Sequence, residues 1–480
     1  MPPQLHKEIK FAIQNILMSV KSLLYSLIII TTTYIVLISG SGCAQIGAIS
    51  GGTKDTIAPV LVSSNPKLLT TNVKANKISL TFDEYVEVQE VQNNLVVSPY
   101  PKISPEVNSK LKTITVKLKD TLLPNTTYAI HFGSAIKDVN EGNPLKGFTY
   151  VFSTGNTIDS LSLSGKIILA ETGKTDSTLI VMLYRNADDS TVQKFKPAYI
   201  ANINGDGSFT FTNLPAGNFN IYALKDGDGG KTYNSKSELF AFADSAVVVS
   251  ENAVPVTLYA YAEEKKELAP STGIKAKTAA QKKLKYTTKA VSEKQDLKYD
   301  LELNFTNKLK LIDSTKIILT DTNYIPTGNI SLLLDSNKLI LKNKWTEDTD
   351  YRLIITKGGI TDIIDSTIAK TDTIRFKTKK ETDYGNVVLR FKNIDFNKHP
   401  VLQFAKEDEV KESYPLTGKE WRNKLFTPGE YEIRILYDDN NNGKWDPGNY
   451  AKKVQPEKVI ALPKKISIRE NWDNESDLVL

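Results

Sequence analysis

The chain has 480 residues, more than one hydrophobic core usually serves, so three to five domains of roughly 100 residues are expected. Its composition, 40% hydrophobic and 24% charged with abundant Thr, Ile, Val, Tyr and Phe, is globular and β-leaning and argues against large-scale disorder. One cysteine, Cys43, and three histidines, His6, His131 and His399, exclude a disulfide framework and cysteine-rich zinc or iron-sulfur sites, and leave at most two histidines for catalysis.

From Leu23 to Ile38 runs a largely apolar stretch, followed by Ser39, Gly40, Ser41, Gly42 and then Cys43. That order is expected of a secretory signal cleaved before the cysteine. A membrane span, the rival reading, usually takes about 20 apolar residues and leaves the small-residue run unexplained. The stretch resembles a bacterial lipobox, in which the cysteine is lipidated and becomes the first residue of the mature protein; Gly40 replaces the usual Leu. Residues 1–42 are therefore expected to be a signal peptide, with Met18 as the true start because Lys21 then directly precedes the apolar run.

Residues 43–57 carry small and turn-forming residues without apolar periodicity and are expected to be a tether. Residues 58–156 then alternate apolar and polar positions in short runs, such as "KISLTFDEYVEV" and "TTYAIHFG", which predicts a β-sandwich. The order recurs at 299–380, where Phe82, Tyr128 and Phe152 are matched by Phe305, Tyr351 and Phe376. Ile136 and Asp138 are likewise matched by Ile360 and Asp362, so a duplicated domain, the A module, is expected.

A second repeat joins "LPAGNFNIYALKDGDGGKTYN" (214–234) to "FTPGEYEIRILYDDNNNGKWD" (426–446). Gly217 and Asp226 correspond to Gly429 and Asp438, and Tyr233 to Trp445, giving a second all-β unit, the B module, at 158–262 and 384–480. Between the halves, residues 263–298 concentrate Lys, Ala, Thr and Ser and read as an exposed linker, with a short helical piece around Thr278 to Leu284. With the linker's charge set aside the remaining chain is close to neutral, which leaves no nucleic-acid footprint. The fold class expected is all-β, tandem sandwiches in an A-B-linker-A-B arrangement behind a signal peptide.

"CAQIGAISGGTKDTIAPVLVSSNP" (43–66) resembles the start of Bacteroidetes Ig-like lipoproteins, where a lipidated cysteine, a "GGxKDTxxP" tether and an Ig-like domain of the S-layer-protein type follow in order. The B modules are similar to prealbumin-like or carboxypeptidase-regulatory-like domains through "GSFTFTNLPAGNFNIYALKDGDG" (207–229). The resemblance implies an envelope lipoprotein with no assigned chemistry, lipidated at Cys43; Ala44 follows the cysteine where an Asp would signal inner-membrane retention, so the outer membrane is the expected location.

One stretch carries a metal-like pattern. In "YDDNNNGKWDPGNY" (437–450), Asp438, Asn440 and Asn442 alternate ahead of Gly443 and Asp446, as in the first half of an EF-hand calcium loop. Asn449 stands where the bidentate Glu would be, and a strand pattern replaces the flanking helix, so a self-capped β-turn with Gly443 at positive φ competes with structural calcium. The sister loop, with Asp226, Asp228, Asn234 and Glu238, offers fewer ligands.

His131 and His399 have no nucleophile motif beside them, and acids such as Asp83-Glu84 or Glu407, Asp408 and Glu409 show no catalytic spacing, so no catalytic residue is assigned. The expected function is a non-catalytic scaffold with an envelope or surface protein as partner. Two alternatives stand: a glycan- or ligand-binding surface, hinted at by Trp345, Trp421 and Trp445, and a hydrolase with an unrecognised acidic site.

Overall fold

A computed structural model describes residues 3–39, 54–185, 188–265 and 284–480. It separates into two compact units, residues 1–57 and 58–480. Cys43, most of the tether and residues 278–283 of the expected helical piece lie outside the described residues.

In the first unit one helix, Pro3–Ser39, runs through the apolar stretch. Thr31, Thr32 and Thr33 interrupt the Leu and Ile run without breaking it, because each hydroxyl donates back to a carbonyl one turn earlier. Residues Leu17–Ile35 are long and apolar enough to cross a membrane, a test that a signal sequence near the N-terminus also passes.

The second unit is built of β-sandwiches. In the first A module, Leu61–Asn65, Lys77–Phe82, Thr113–Lys117 and Glu106–Lys110 form one sheet in that spatial order. Val96–Ser98, Thr127–His131 and Thr149–Ser153 form the facing sheet, and Val86–Val88 pairs with Ile136–Asp138. Period-two alternation dictates the layers: Ile78, Leu80 and Phe82 turn inward against Ile114, Val116, Ile130 and Phe152, while Lys77, Ser79 and Thr81 face outward.

The second A module repeats this topology strand for strand. Tyr286–Thr287, Leu301–Phe305, Lys338–Lys342 and Ser331–Asp335 make its four-stranded sheet, and Ile317–Thr320, Asp350–Ile355 and Asp372–Lys377 its three-stranded one. The sequence places 284–298 in the linker, whereas the structure folds it into this module. Leu284 and Ala290 are buried in its core, and the Gln295 N–H donates to the Lys377 carbonyl at 2.8 Å. A strand only two residues long gives too little alternation to stand out from Lys-rich surroundings.

Asp138 and Asp362, paired by their spacing in the sequence, do the same job in the two copies. Each is buried and closes the turn that follows its strand. Asp138 accepts the backbone N–H groups of Glu141, Gly142 and Asn143 at 2.6, 3.0 and 2.7 Å. Asp362 accepts those of Ile364 and Ser366 and the Asn307 amide at 3.1, 2.7 and 2.8 Å.

Each B module pairs its first and last strands in parallel, Leu161–Leu169 with Val256–Ala260 and Gly385–Lys392 with Asp473–Val479. Facing this sheet lies a second one centred on a long strand, Gly217–Leu224 or Gly429–Tyr437. Gly217 and Gly429 open those strands at φ 149° and 145°, a backbone region that side chains avoid, which accounts for a glycine at both repeat positions.

Candidate functional site

The strand Gly429–Tyr437 delivers the chain to Asp438, which is fully buried. Its two carboxylate oxygens accept the N–H of Asn442 at 3.1 Å and of Gly443 at 2.6 Å. Asn440 accepts the Asn442 N–H at 3.0 Å, and Asn442 accepts the Lys444 N–H at 2.7 Å. The side-chain amides of Asn440 and Asn442 both donate to Asp446, the latter at 2.6 Å. The four candidate residues are thus brought together, each engaged with an N–H group, and Gly443 turns the chain at φ 78°.

Glu457, which the sequence pattern did not single out, completes the cluster from the far end of the loop. It accepts the N–H of Asp439 and of Asp446, each at 2.9 Å, and its carbonyl takes the Trp445 indole N–H at 2.8 Å. Burial pushes its carboxyl up; the N–H groups of Asp446 and Asp439 oppose this, and the charges of Asp438 and Asp446 add to it. Among the described residues, no three His, Cys, Asp or Glu side chains are grouped so as to hold a metal.

In the sister loop, Asp226 pairs with Lys231 at 2.6 Å, and Asp228 accepts the Gly230 N–H and the Asn234 amide at 2.8 and 2.6 Å. Glu238 accepts the N–H groups of Asn234 and Ser235. These acids too are taken up within their own turn.

The Asp438 turn presents Tyr450 to the other B module. Tyr450 is buried, with its ring 5.0 Å from Phe240, 5.2 Å from Phe242 and 5.9 Å from Tyr222. Its hydroxyl donates to the Asp189 carbonyl at 2.8 Å and meets the Tyr222 hydroxyl at 3.2 Å, and its N–H donates to Glu263 at 3.1 Å. Around it Lys453 pairs with Asp189 at 2.6 Å, and Gln455 reaches the Phe242 carbonyl and Asp244 at 3.0 and 2.7 Å. The Val459 N–H donates to the Ala170 carbonyl at 3.0 Å.

A charged network lies on the same interface. Lys174 of the first B module reaches Asp408 at 2.5 Å and Glu432 at 2.8 Å in the second, and both acids also pair with the fully buried Arg434. Hydrogen bonds that Lys174 donates to Asp408 and Glu432 hold its pKa above its usual value. Burial works against the Glu432 charge, yet Lys174 and Arg434 bring its pKa below the ordinary range.

The remaining candidates are dispersed. His131 lies in its strand with Nδ1 2.9 Å from the Thr149 hydroxyl, and burial lowers its pKa; His399 Nδ1 is 3.2 Å from the Asp438 carbonyl. Asp83 accepts the Val60 N–H at 2.8 Å. The aromatic hint for a glycan surface does not survive for Trp345, which is buried with its N–H on the Tyr299 carbonyl at 3.0 Å. Trp421 packs on Tyr414 and Phe404, and Trp445 is half-buried under the Asp438 turn.

No curated protein sequence matches the chain. Among solved structures, the N-terminal part of the bacterial S-layer protein SbsC is similar at 15% identity, over 43% of this chain and 44% of that one, with a TM-score of 0.16. The S-layer protein rSbsC(31-844) shares 13% identity over 88% of this chain and 54% of that one, also at 0.16. BcpA, the major pilin subunit of Bacillus cereus, shares 10% over 67% and 99%, at 0.18. The chain thus spans about half the length of the S-layer structures it matches, and TM-scores this low carry no inference. Residues 55–154, which hold the first A module, match the bacterial Ig-like domain family.

Proposed function

We propose that the protein is a non-catalytic envelope lipoprotein: lipid on Cys43 holds it in the outer membrane, and the four β-modules form a scaffold that meets an envelope or surface protein. The observation that carries this reading is the clasp between the B modules. The polar loop that most resembles a binding site spends its oxygens on its own N–H groups and directs a buried Tyr450 into the neighbouring module. Fixed placement of one module against another is what a scaffold needs, whereas an enzyme keeps its titratable groups accessible in a cleft. Engagement of the Asp438 oxygens likewise favours a self-contained turn over calcium.

The test is intact mass and membrane fractionation of the native protein beside Cys43→Ala, with surface proteolysis of whole cells. A lipid mass and membrane retention in the native protein alone are expected. An unlipidated protein that keeps its leader would remove the anchor and the proposal together.

A further inference from the structure

The first A and first B modules meet along a groove of about 700 Å³ that no part of the scaffold reading uses. Its walls are the loop around Tyr100 and Lys102 from the A module, and Arg185 with the turn from Lys194 to Ala198 from the B module. The Tyr100 N–H donates to the Ala198 carbonyl at 2.7 Å, so the two walls are tied together. Its volume falls in the range usual for small-ligand sites.

Four cations line the groove: Lys102, Arg185, Lys194 and Lys196. Among the described residues none of them pairs with a carboxylate; Arg185 donates to the Tyr199 hydroxyl, Lys194 to the Ser190 hydroxyl and Lys196 to the Lys102 carbonyl. Two acids lie nearby. Asp188 acts electrostatically on Lys194, and Asp120 is taken up by the N–H groups of Lys102 and Ile103. Between the cations stand ring faces, Tyr100 with Lys196 5.8 Å from its centroid, and Phe195, which is 61% exposed.

Several main-chain groups on the groove are already used. The N–H groups of Phe195 and Ala198 donate to Thr191 and Leu183, the Phe195 carbonyl accepts the Tyr184 hydroxyl, and Pro101 and Pro197 have no N–H to give. An extended peptide, which binds by adding main-chain hydrogen bonds to a free edge, would find these groups already taken. The groups the groove presents are charges and ring faces. That pair suits a saccharide bearing carboxylates, whose acidic groups meet the cations while the apolar C–H face of a sugar ring lies on Phe195 or Tyr100.

We infer that this groove binds an acidic, uronate-type glycan. The inference does not depend on lipidation or on the clasp. It is tested by titrating the full-length mature protein in detergent with hexagalacturonate, with uncharged maltohexaose and hexaglutamate as comparison probes, at low and high salt. Saturable binding of hexagalacturonate that falls at high salt is expected, with none of maltohexaose at the same concentrations. Arg185→Gln combined with Lys196→Gln, and separately Phe195→Ala, should each weaken it about 10-fold, while hexaglutamate binds less tightly and ignores Phe195→Ala. These side chains are exposed, so circular dichroism should show folded variants. Absence of saturable hexagalacturonate binding at low salt would overturn the inference. Equal binding of hexaglutamate with no effect of Phe195→Ala would also do so, reducing the groove to a patch of positive charge.

Discussion

Replacing Tyr450 by alanine should separate the two B modules while leaving each folded. The side chain is 4% exposed, and a tyrosine that deeply placed buries on the order of 150–200 Å², worth about 4–5 kcal/mol at roughly 25 cal/mol per Å². Its hydroxyl adds contacts to Asp189 and Tyr222, each worth about 1 kcal/mol net. Part of the loss is recovered as the loop relaxes, so we expect about 4 kcal/mol, or roughly a thousandfold in the docking equilibrium.

The cost falls on docking because the second module's core, built on Leu389, Phe404, Ile433 and Ile435, does not include Tyr450. Val459 is the reporter, since its N–H bridges to the first module through the Ala170 carbonyl. Hydrogen exchange at the Val459 amide should accelerate by up to about a thousandfold in Tyr450→Ala and up to about 30-fold in Tyr450→Phe, with the amides of Ile433 and Ile435 unchanged. Unchanged protection at Val459 in Tyr450→Ala would refute the reasoning, because the ring would then contribute nothing to holding the modules together.

Two further outcomes concern other buried positions. Burial raises the carboxyls of Asp138 and Asp362, but hydrogen bonds from Glu141, Asn143 and Gly142 to the first, and from Asn307, Ser366 and Ile364 to the second, bring both pKa values below the usual aspartate range. A depressed folded-state value means that this stability is fully present above the unfolded-state pKa, about 3.9, and is lost as pH falls through the folded one. Asp362→Asn should therefore cost roughly 2 kcal/mol at neutral pH and flatten the decline of melting temperature below about pH 4; an undiminished decline would count against the assignment. At Gly448 an added Cβ would lie 2.6 Å from the Tyr261 ring, 2.7 Å from the Val454 carbonyl and 2.9 Å from the Pro456 nitrogen. Gly448→Ala should then cost about 1–3 kcal/mol and speed exchange at Val459, and a variant with native protection there would show that the clasp tolerates the shift.

The sandwich layers and the duplication were legible because both are written locally. Alternation sets which side chains face inward, as at Ile78, Leu80 and Phe82, and a special backbone angle demands a residue type, as at Gly217 and Gly429. The interfaces were not legible, since their partners are far apart in the chain. Glu263, which the linker's composition absorbed, accepts hydrogen bonds from Tyr233 and from the Tyr450 backbone. The cationic groove sets Lys102 and Tyr100 of one module against Arg185, Lys194 and Lys196 of the next, so neither stretch alone shows the groove. The Asp438 run looks like a ligand set because alternating short acceptors serve a cation and a tight turn equally well.

Register in the two B modules explains how identical folds came to fit one another unequally. Leu224 pairs with Phe240 after 16 residues, whereas its counterpart Leu436 pairs with Val459 after 23, so the second copy carries a longer loop, and Tyr450 sits in the added length. The receiving face has diverged in step. Tyr222, Phe240 and Phe242, which surround Tyr450 in the first copy, correspond in register to Arg434, Val459 and Ala461 in the second. Where the first copy has an aromatic hole, the second has a buried arginine whose acidic partners Asp408 and Glu432 receive Lys174. A knob on one copy and its hole on the other make two unlike copies bind each other better than two alike, because two first modules would offer two holes and no Tyr450 to fill them. Divergence after duplication thus directs the contact to the partner module within the same chain, although a linker and a whole A module intervene.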